Sequence, residues 1–87
     1  MKIVELDVRG LEHPEPLERS VAAFKDLGAD EVLHLRIHRY PVPLLQIAER
    51  QGLRFVAHQA GEGDFHILFA KAPAPELETV LKERCGV

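Results

Sequence analysis

The chain lacks most of the features that would assign a small protein to a specialised class. It has one cysteine, Cys85, among 87 residues, which excludes an internal disulfide framework and a metal site built from several cysteines of one chain. It has no apolar run close to the roughly 20 residues that a membrane-spanning helix needs. Lysine and arginine are scattered through a chain of net charge −3, without the basic stripe typical of nucleic-acid binding. We therefore expect partners other than nucleic acids and membranes.

The first residues also lack the charged leader and apolar block of a secretory signal. The stretch "MKIVELDV" passes directly into an alternating pattern, and we expect a cytoplasmic protein. The composition, with 46% hydrophobic and 29% charged residues, is that of an ordinary globular protein. The length suits one domain whose compact core leaves little room for an enclosed active-site cavity.

Hydrophobic periodicity predicts the element order β-α-β-α-β-β, followed by a short C-terminal helix. The stretches "KIVELDV", "EVLHLRIH", "LRFVAHQ" and "DFHILFAK" alternate as half-buried strands do. A first helix is predicted from Pro14 to Gly28, a second from Pro43 to near Gly52, and a third within "ELETVLKERCGV". The glycine-bearing "AGEGD" between the last two strands is typical of a hairpin loop, and "APAP" is typical of a stiff connector.

These elements predict an α/β (α+β) two-layer sandwich with a four-stranded mixed sheet. Because the strands alternate, both main helices should cover one face of the sheet, while the other face starts open. We expect residues 1–71 to form the domain and residues 72–87 to form the proline-rich connector and the C-terminal helix.

The stretch "LDVRGLEHPEP" carries the most specific pattern in the chain. Asp7 ends the first predicted strand, and Gly10, Leu11, Pro14 and Pro16 follow at fixed spacing. This pattern resembles the opening of the TusA/SirA-like small sulfur-carrier family, in which a strand ending in Asp precedes Gly-Leu-x-Cys-Pro-x-Pro. The chain is most similar to uncharacterised relatives of that family, domains of unknown function that keep "D-x-R-G-L" and the prolines but lack the cysteine. The resemblance implies a sheet in which the second strand neighbours the fourth and the fourth neighbours the third.

His13 stands where the sulfur carriers have their cysteine. In that family the cysteine carries sulfur as a persulfide beside a helix N-terminus, and an imidazole cannot form one. The resemblance therefore implies that persulfide transfer is lost. His13 either belongs to a binding site or only precedes Pro14 and organises the helix start. The helix dipole disfavours an imidazolium there while Glu12 and Glu15 favour one, so the sequence leaves its charge open.

The retained motif without its cysteine favours a non-enzymatic binding or adaptor module for a protein partner or small ligand. Its surface would be the His13 loop and the neighbouring helix starts. Arg39 and Tyr40 stand between the second strand and the second helix, where Arg39 either binds a small anion together with helix N–H groups or is a solvated turn residue. The candidate residues are Asp7, Arg9, Gly10, His13, Pro14, Glu15, Pro16 and Arg39.

The five histidines suggest an alternative. His34 and His38 lie about 13 Å apart along an extended strand and cannot bind one ion as a pair. Histidines on neighbouring strands can meet, since opposed Cβ atoms are roughly 4.5 to 5.5 Å apart. A cluster on the open face would bind a transition metal, a haem edge or an anion, as a metal- or haem-responsive redox accessory protein would. The candidate ligands are His34, His38, His58 and His66.

Simpler interpretations of this face remain open. The histidines are either solvated, or part of a protein contact anchored by Val56 and Leu68, or covered by the C-terminal helix. Cys85 is a tail thiol that could also accept sulfur or pair with a second chain. Asp64 and Glu62 are expected to be polar loop residues. The sequence identifies no cofactor and does not distinguish a monomer from a homodimer.

Overall fold

A computed structural model describes residues 2–71 and 76–86 of the chain. It confirms the predicted element order and shows four strands and three helices among these residues. No helix among them is long and apolar enough to cross a membrane. The elements are β1 (Lys2–Asp7), α1 (Glu15–Asp26), β2 (Glu31–Ile37), α2 (Val42–Arg50), β3 (Leu53–Gly61), β4 (Asp64–Lys71) and α3 (Leu77–Cys85).

The four strands form one mixed sheet in the order β1-β2-β4-β3. β1 and β2 are parallel, with Asp7 opposite Arg36. β4 is antiparallel to both of its neighbours, so that His66 stands opposite Arg36 on one side and opposite His58 on the other. This is the strand order that the resemblance implied. It brings the polar side chains of β2, β4 and β3 into adjacent rows.

The larger core lies between the sheet and the helices α1 and α2. Alternation places Leu33, Leu35 and Ile37 on this face, as predicted. Phe24 of α1 packs against Phe69 of β4 with 4.7 Å between the ring centroids. Both rings are buried, so this aromatic contact joins the first helix to the middle of the sheet.

The two main helices begin at proline-rich segments, as expected, within one residue of the predicted positions. α1 begins after Pro14, and α2 begins after Pro41. Within α1 the buried hydroxyl of Ser20 donates a hydrogen bond of 2.7 Å to the carbonyl oxygen of Pro16. This bond satisfies a polar group that would otherwise be costly to bury.

A smaller core lies on the opposite face of the sheet, beneath α3 of the same chain. Sequence alone left this face open to solvent, a partner or the C-terminal helix, and the structure shows the helix covering part of it. The connector predicted at residues 72–75 lies outside the described residues. The buried residues of this core are Val32, Leu68 and Ala70 from the sheet and Leu77, Val80 and Leu81 from α3.

The hairpin between β3 and β4 is tighter than the predicted loop. β3 continues to Gly61 after an irregularity in its register, and β4 begins at Asp64, so only Glu62 and Gly63 lie between them. The expectation that Asp64 is a loop residue was therefore wrong. Its carboxylate accepts two hydrogen bonds of 3.1 Å from Arg36 on the adjacent strand, which ties it into the sheet.

Candidate functional site

An ion pair inside the "D-x-R-G-L" motif shapes the loop that follows β1. The guanidinium of Arg9 donates to the two carboxylate oxygens of Asp7 at 3.0 and 2.9 Å, and its backbone N–H donates to the first of them at 3.1 Å. These hydrogen bonds lower the pKa of Asp7 to about 2. Gly10 follows with a φ of +83°, a conformation that glycine adopts without steric cost. Asp7, Arg9 and Gly10 thus direct the chain towards α1.

A pocket of about 550 Å³ opens where β1 and β2 end. It lies between the start of α1 and the start of α2, at the carboxyl ends of two parallel strands, which is where open α/β sheets bind ligands. We call it the end pocket. It is lined by residues 10–13, Pro16, Leu17, residues 37–41, Pro43 and Leu44.

The end pocket brings together four of the residues predicted for partner binding, namely Gly10, His13, Pro16 and Arg39. The other four do not line it. Asp7 and Arg9 bind each other in the preceding turn. Pro14 is exposed, and the carboxylate of Glu15 lies 3.6 Å from the guanidinium of Arg19 one helical turn away.

Both helices begin at the end pocket without a side-chain cap. Each first turn contains a proline without an N–H, and the first N–H of each helix donates to a carbonyl oxygen of the preceding segment. The N–H groups of Leu17 and Leu44 are therefore the ones that the two first turns offer to water or to a ligand. Their partial positive charge adds to that of the helix dipole. α2 has no acidic residue in its first turn, so this charge is not offset there.

His38 lies at the end pocket and not with the other histidines predicted as ligands. It follows the last residue of β2, and its Nδ1 atom is buried without a hydrogen-bond partner among the described residues. Beside it, the ring of Tyr40 packs edge-on against Phe65 with 5.9 Å between the centroids. Arg39 is exposed. A buried polar atom without a partner is costly, so a ligand that donates a hydrogen bond to it or accepts one from it would be favoured.

A second polar site lies on the opposite face of the sheet, at the edge of the smaller core. We call it the histidine network, formed by Arg84, His34, His66 and Asp64. Nε of Arg84 donates to Nδ1 of His34 at 2.9 Å. Nε2 of His34 lies 2.8 Å from Nδ1 of His66, and Nε2 of His66 lies 3.4 Å from Oδ1 of Asp64.

The donors determine which ring nitrogens carry protons. A guanidinium can only donate, so Nδ1 of His34 accepts and carries no proton. The proton of neutral His34 is then on Nε2 and is donated to Nδ1 of His66. The proton of His66 is on Nε2, facing the carboxylate of Asp64. One assignment with two neutral rings therefore satisfies every contact in the network.

The surroundings favour these neutral rings. Burial lowers the pKa of His34, and the charge of Arg84 lowers it further. Burial also lowers the pKa of His66, although the Asp64 carboxylate opposes this shift. Each end of the network also contacts a further charged residue. At one end, Arg84 contacts Glu5. At the other end, Asp64 accepts two hydrogen bonds from Arg36.

Acidification below pH 6.5 is expected to lower the free energy of unfolding. The pKa values of His34 and His66 lie below the ordinary value of 6.5 in the folded protein, so the unfolded chain takes up protons more readily. The two neutral histidines contribute fully to the free energy of unfolding above pH 6.5, and this contribution decreases as the pH falls below 6.5. Glu5, Arg36, His58 and the other network residues face these rings and contribute to the shift.

Urea unfolding at a series of pH values between about 7.5 and 5.5 measures this dependence. The variant His34→Gln should show a shallower slope, because one of the two depressed groups is removed. His13→Gln is the control, since His13 is exposed and outside the network. An unchanged slope in His34→Gln would contradict the assignment of a neutral, buried ring.

The structure brings together two of the four histidines predicted as metal ligands. A ring nitrogen of His34, a ring nitrogen of His66 and the sulfur of Cys85 all lie within 4.8 Å of one another. His58 stands opposite His66 in the register but is not part of this group, and His38 lies at the end pocket.

Sequence analysis did not place Arg84 or Cys85 beside His34 and His66. A signal for them was present in α3. Residues three and four positions after Leu81 lie on the same side of a helix as Leu81, which is buried against the sheet. Those positions are Arg84 and Cys85.

The fold and sites define a small α+β domain with a pocket at the ends of its parallel strands. The chain belongs to the DUF2249 family, described as an uncharacterized conserved protein, whose model matches residues 5–71. This confirms the part of the sequence interpretation that pointed to a domain of unknown function. The match ends with β4, so α3 with Arg84 and Cys85 lies beyond it. No curated protein and no solved structure matches the chain.

Proposed function

We propose that the protein is a non-enzymatic binding module whose end pocket takes a small ligand with an anionic group and an apolar body. The observation that carries this proposal is the pocket itself, a space of about 550 Å³ onto which two uncapped helix starts converge. Volumes of about 300–1,000 Å³ are usual for small-molecule sites.

The charges around the end pocket favour an anion. Arg39 and the first turn of α2 contribute positive charge, whereas Glu15 and Glu18 offset that of the first turn of α1. Glu12 is the only carboxylate in the described lining. His13 and His38 add imidazole groups that can donate or accept hydrogen bonds. The apolar body of the ligand would contact Leu11, Leu17, Ile37, Leu44 and the lining prolines.

The lining also supports binding without covalent catalysis. Its described residues include no cysteine, serine or threonine, and His13 occupies the position at which the resemblance to sulfur carriers requires a cysteine. We propose that the module is TusA-like in architecture and has lost persulfide transfer. Residual sulfur transfer through Cys85 is less well supported, because burial raises the pKa of this thiol and disfavours the reactive thiolate. The cytoplasmic location stays a prediction from the sequence.

A panel of matched aryl ligands tests the proposal by NMR. Benzoate and phenyl phosphate should shift the amide resonances of residues 10–13 and 37–41, whereas uncharged benzamide should not. Arg39→Gln should weaken the binding of the anions by about tenfold, which corresponds to about 1.4 kcal/mol for one charge-assisted contact. Arg50→Gln is the matched control, because Arg50 is in the last turn of α2, at the end remote from the pocket.

Two results would count against this function. One is the absence of amide shifts with any of the three compounds; the other is equal weakening by Arg39→Gln and Arg50→Gln. Shifts confined to Tyr40 and Val42 would instead favour a protein partner on the rim. These are exposed large hydrophobic residues beside the pocket, and an apolar protein contact would use them.

A further inference from the structure

Three potential metal ligands meet beneath α3, on the face of the sheet remote from the end pocket. His34 comes from β2, His66 from β4, and Cys85 is the last residue of α3. Their ligand atoms all lie within 4.8 Å of one another, although the residues are far apart in the sequence. The only thiol of the chain therefore lies beside His34 and His66, whose rings are hydrogen-bonded to each other.

We propose that His34, His66 and Cys85 form a zinc site with two nitrogen ligands, one sulfur ligand and a fourth position open to water or another small ligand. Thiolate and imidazole are the ligands that zinc prefers, and three protein ligands with an open position are typical of a reactive rather than a purely structural site. The proposal goes beyond the binding function of the end pocket and does not depend on it.

The present distance between the two nitrogens is close to the one that the ion requires. With bonds of about 2.0 Å to nitrogen and about 2.3 Å to sulfur, tetrahedral coordination separates two nitrogens by about 3.3 Å and a nitrogen from sulfur by about 3.5 Å. Nε2 of His34 and Nδ1 of His66 now lie 2.8 Å apart, with a proton between them. The ion would replace this proton, with small rotations of both rings and a shift of Cys85 at the end of a short helix.

His66 is already oriented as a ligand. Its Nδ1 lone pair points to His34, while its Nε2–H faces Asp64 at 3.4 Å. A carboxylate behind a ligating histidine fixes the ring and raises its basicity, and such partners are usual in zinc sites. Asp64 is fixed in turn by Arg36 through two hydrogen bonds of 3.1 Å.

The protons and charges of this binding step balance. Cys85 loses its proton to solvent and binds as a thiolate. His34 keeps one proton, which moves from Nε2 to Nδ1, so Arg84 must release Nδ1 and keep its contact with Glu5. The carboxylates of Glu5 and Asp64 and the new thiolate offset the ion beside Arg84 and Arg36.

A haem does not fit this site. The His34 residue is only 6% exposed, and α3 packs over the sheet beside it. An ion with a small fourth ligand therefore suits this site better than a haem does.

Metal titration of the full chain under reducing conditions tests the proposal. Zinc should bind with a stoichiometry of one ion per chain in competition with a chromophoric chelator. Cobalt, used as a spectroscopic substitute, should give a thiolate-to-metal charge-transfer band. Cys85→Ser should abolish this band. Both Cys85→Ser and His66→Gln should weaken zinc binding by at least about 100-fold, because loss of an outer-shell partner alone costs about 10–100-fold.

His58→Gln is the matched control, because His58 neighbours His66 across the strands but lies outside the ligand group. It should change the zinc affinity by less than about threefold. Circular dichroism of each variant without metal establishes that it is folded. If His66→Gln does not fold, Asp64→Asn is the milder substitution that replaces it. The proposal is overturned if the folded chain binds no zinc, if Cys85→Ser binds it unchanged, or if His58→Gln is as damaging as His66→Gln. None of these results bears on the NMR test of the end pocket.

Discussion

Phe69→Ala is expected to lower the free energy of unfolding by about 3–5 kcal/mol, the usual cost of removing a buried phenylalanine ring. Phe69 is fully buried in the middle of β4. Its ring lies 4.7 Å from that of Phe24 and 6.0 Å from that of Phe55, measured between centroids. The substitution would leave a cavity and remove the aromatic contact that joins α1 to the sheet. A domain of this size has a total stability near the lower end of about 5–15 kcal/mol, so most of it would be lost.

Urea denaturation followed by circular dichroism measures this effect. Val42→Ala serves as the control, because Val42 is 50% exposed, and it should change the stability by less than about 0.5 kcal/mol. If Phe69→Ala is too unstable to purify, Phe69→Leu should fold with a smaller loss. A loss below about 1 kcal/mol for Phe69→Ala would be inconsistent with the packing described for the larger core.

Leu81→Asp is expected to release α3 from the sheet at a cost of about 3 kcal/mol or more. The substitution removes an apolar side chain that is 8% exposed and places a carboxylate against Val32 and Leu68. A short helix at the end of the chain can avoid this burial by detaching. The cost is then limited to the free energy of docking α3, and α1, α2 and the sheet should stay folded.

Hydrogen exchange of backbone amides measures the release of α3. In Leu81→Asp the amides of α3 should exchange much faster than in the parent protein, while those of β4 opposite Phe24 keep their protection. Thr79→Asp makes the same change of charge at an exposed position of α3 and should leave the helix docked. Detachment also removes Arg84 from His34, so the His34 imidazole should then titrate closer to its ordinary pKa. Unchanged protection of α3 in Leu81→Asp would show that the smaller core does not depend on this residue.

The elements and the direction of their side chains were predictable because they depend on local sequence. In β2, for example, Leu33, Leu35 and Ile37 alternate with polar residues, and a half-buried strand has to place them on one face. The order of the strands was not predictable in this way. The register that opposes His66 to Arg36 depends on pairing between distant segments, and the expectation for it came from the resemblance to a known family.

The sites were predictable only in part, for related reasons. The motif pointed to the loop with His13, and Arg39 was predicted from its place between the second strand and the second helix. The two meet at the end pocket because parallel strands end on the same side of the sheet. The apolar stripe of α3 showed which side of the helix is buried but not which surface it covers, and this hid the contact of Arg84 with His34. Asp64 follows a glycine and had the appearance of a loop residue, since its partner Arg36 is remote in the sequence.

The strand order β1-β2-β4-β3 also has a consequence for the path of folding. The hairpin of β3 and β4 is the only local pairing among the described strands, closed by Glu62 and Gly63, whereas β1 pairs with β2 across the whole of α1. Longer loops cost more entropy to close, and chains whose contacts are distant in sequence fold more slowly. We therefore expect the hairpin to form early and the parallel pair late. His34 and His66 can meet only after β2 joins the hairpin, so the polar network assembles after the apolar contacts that position its strands.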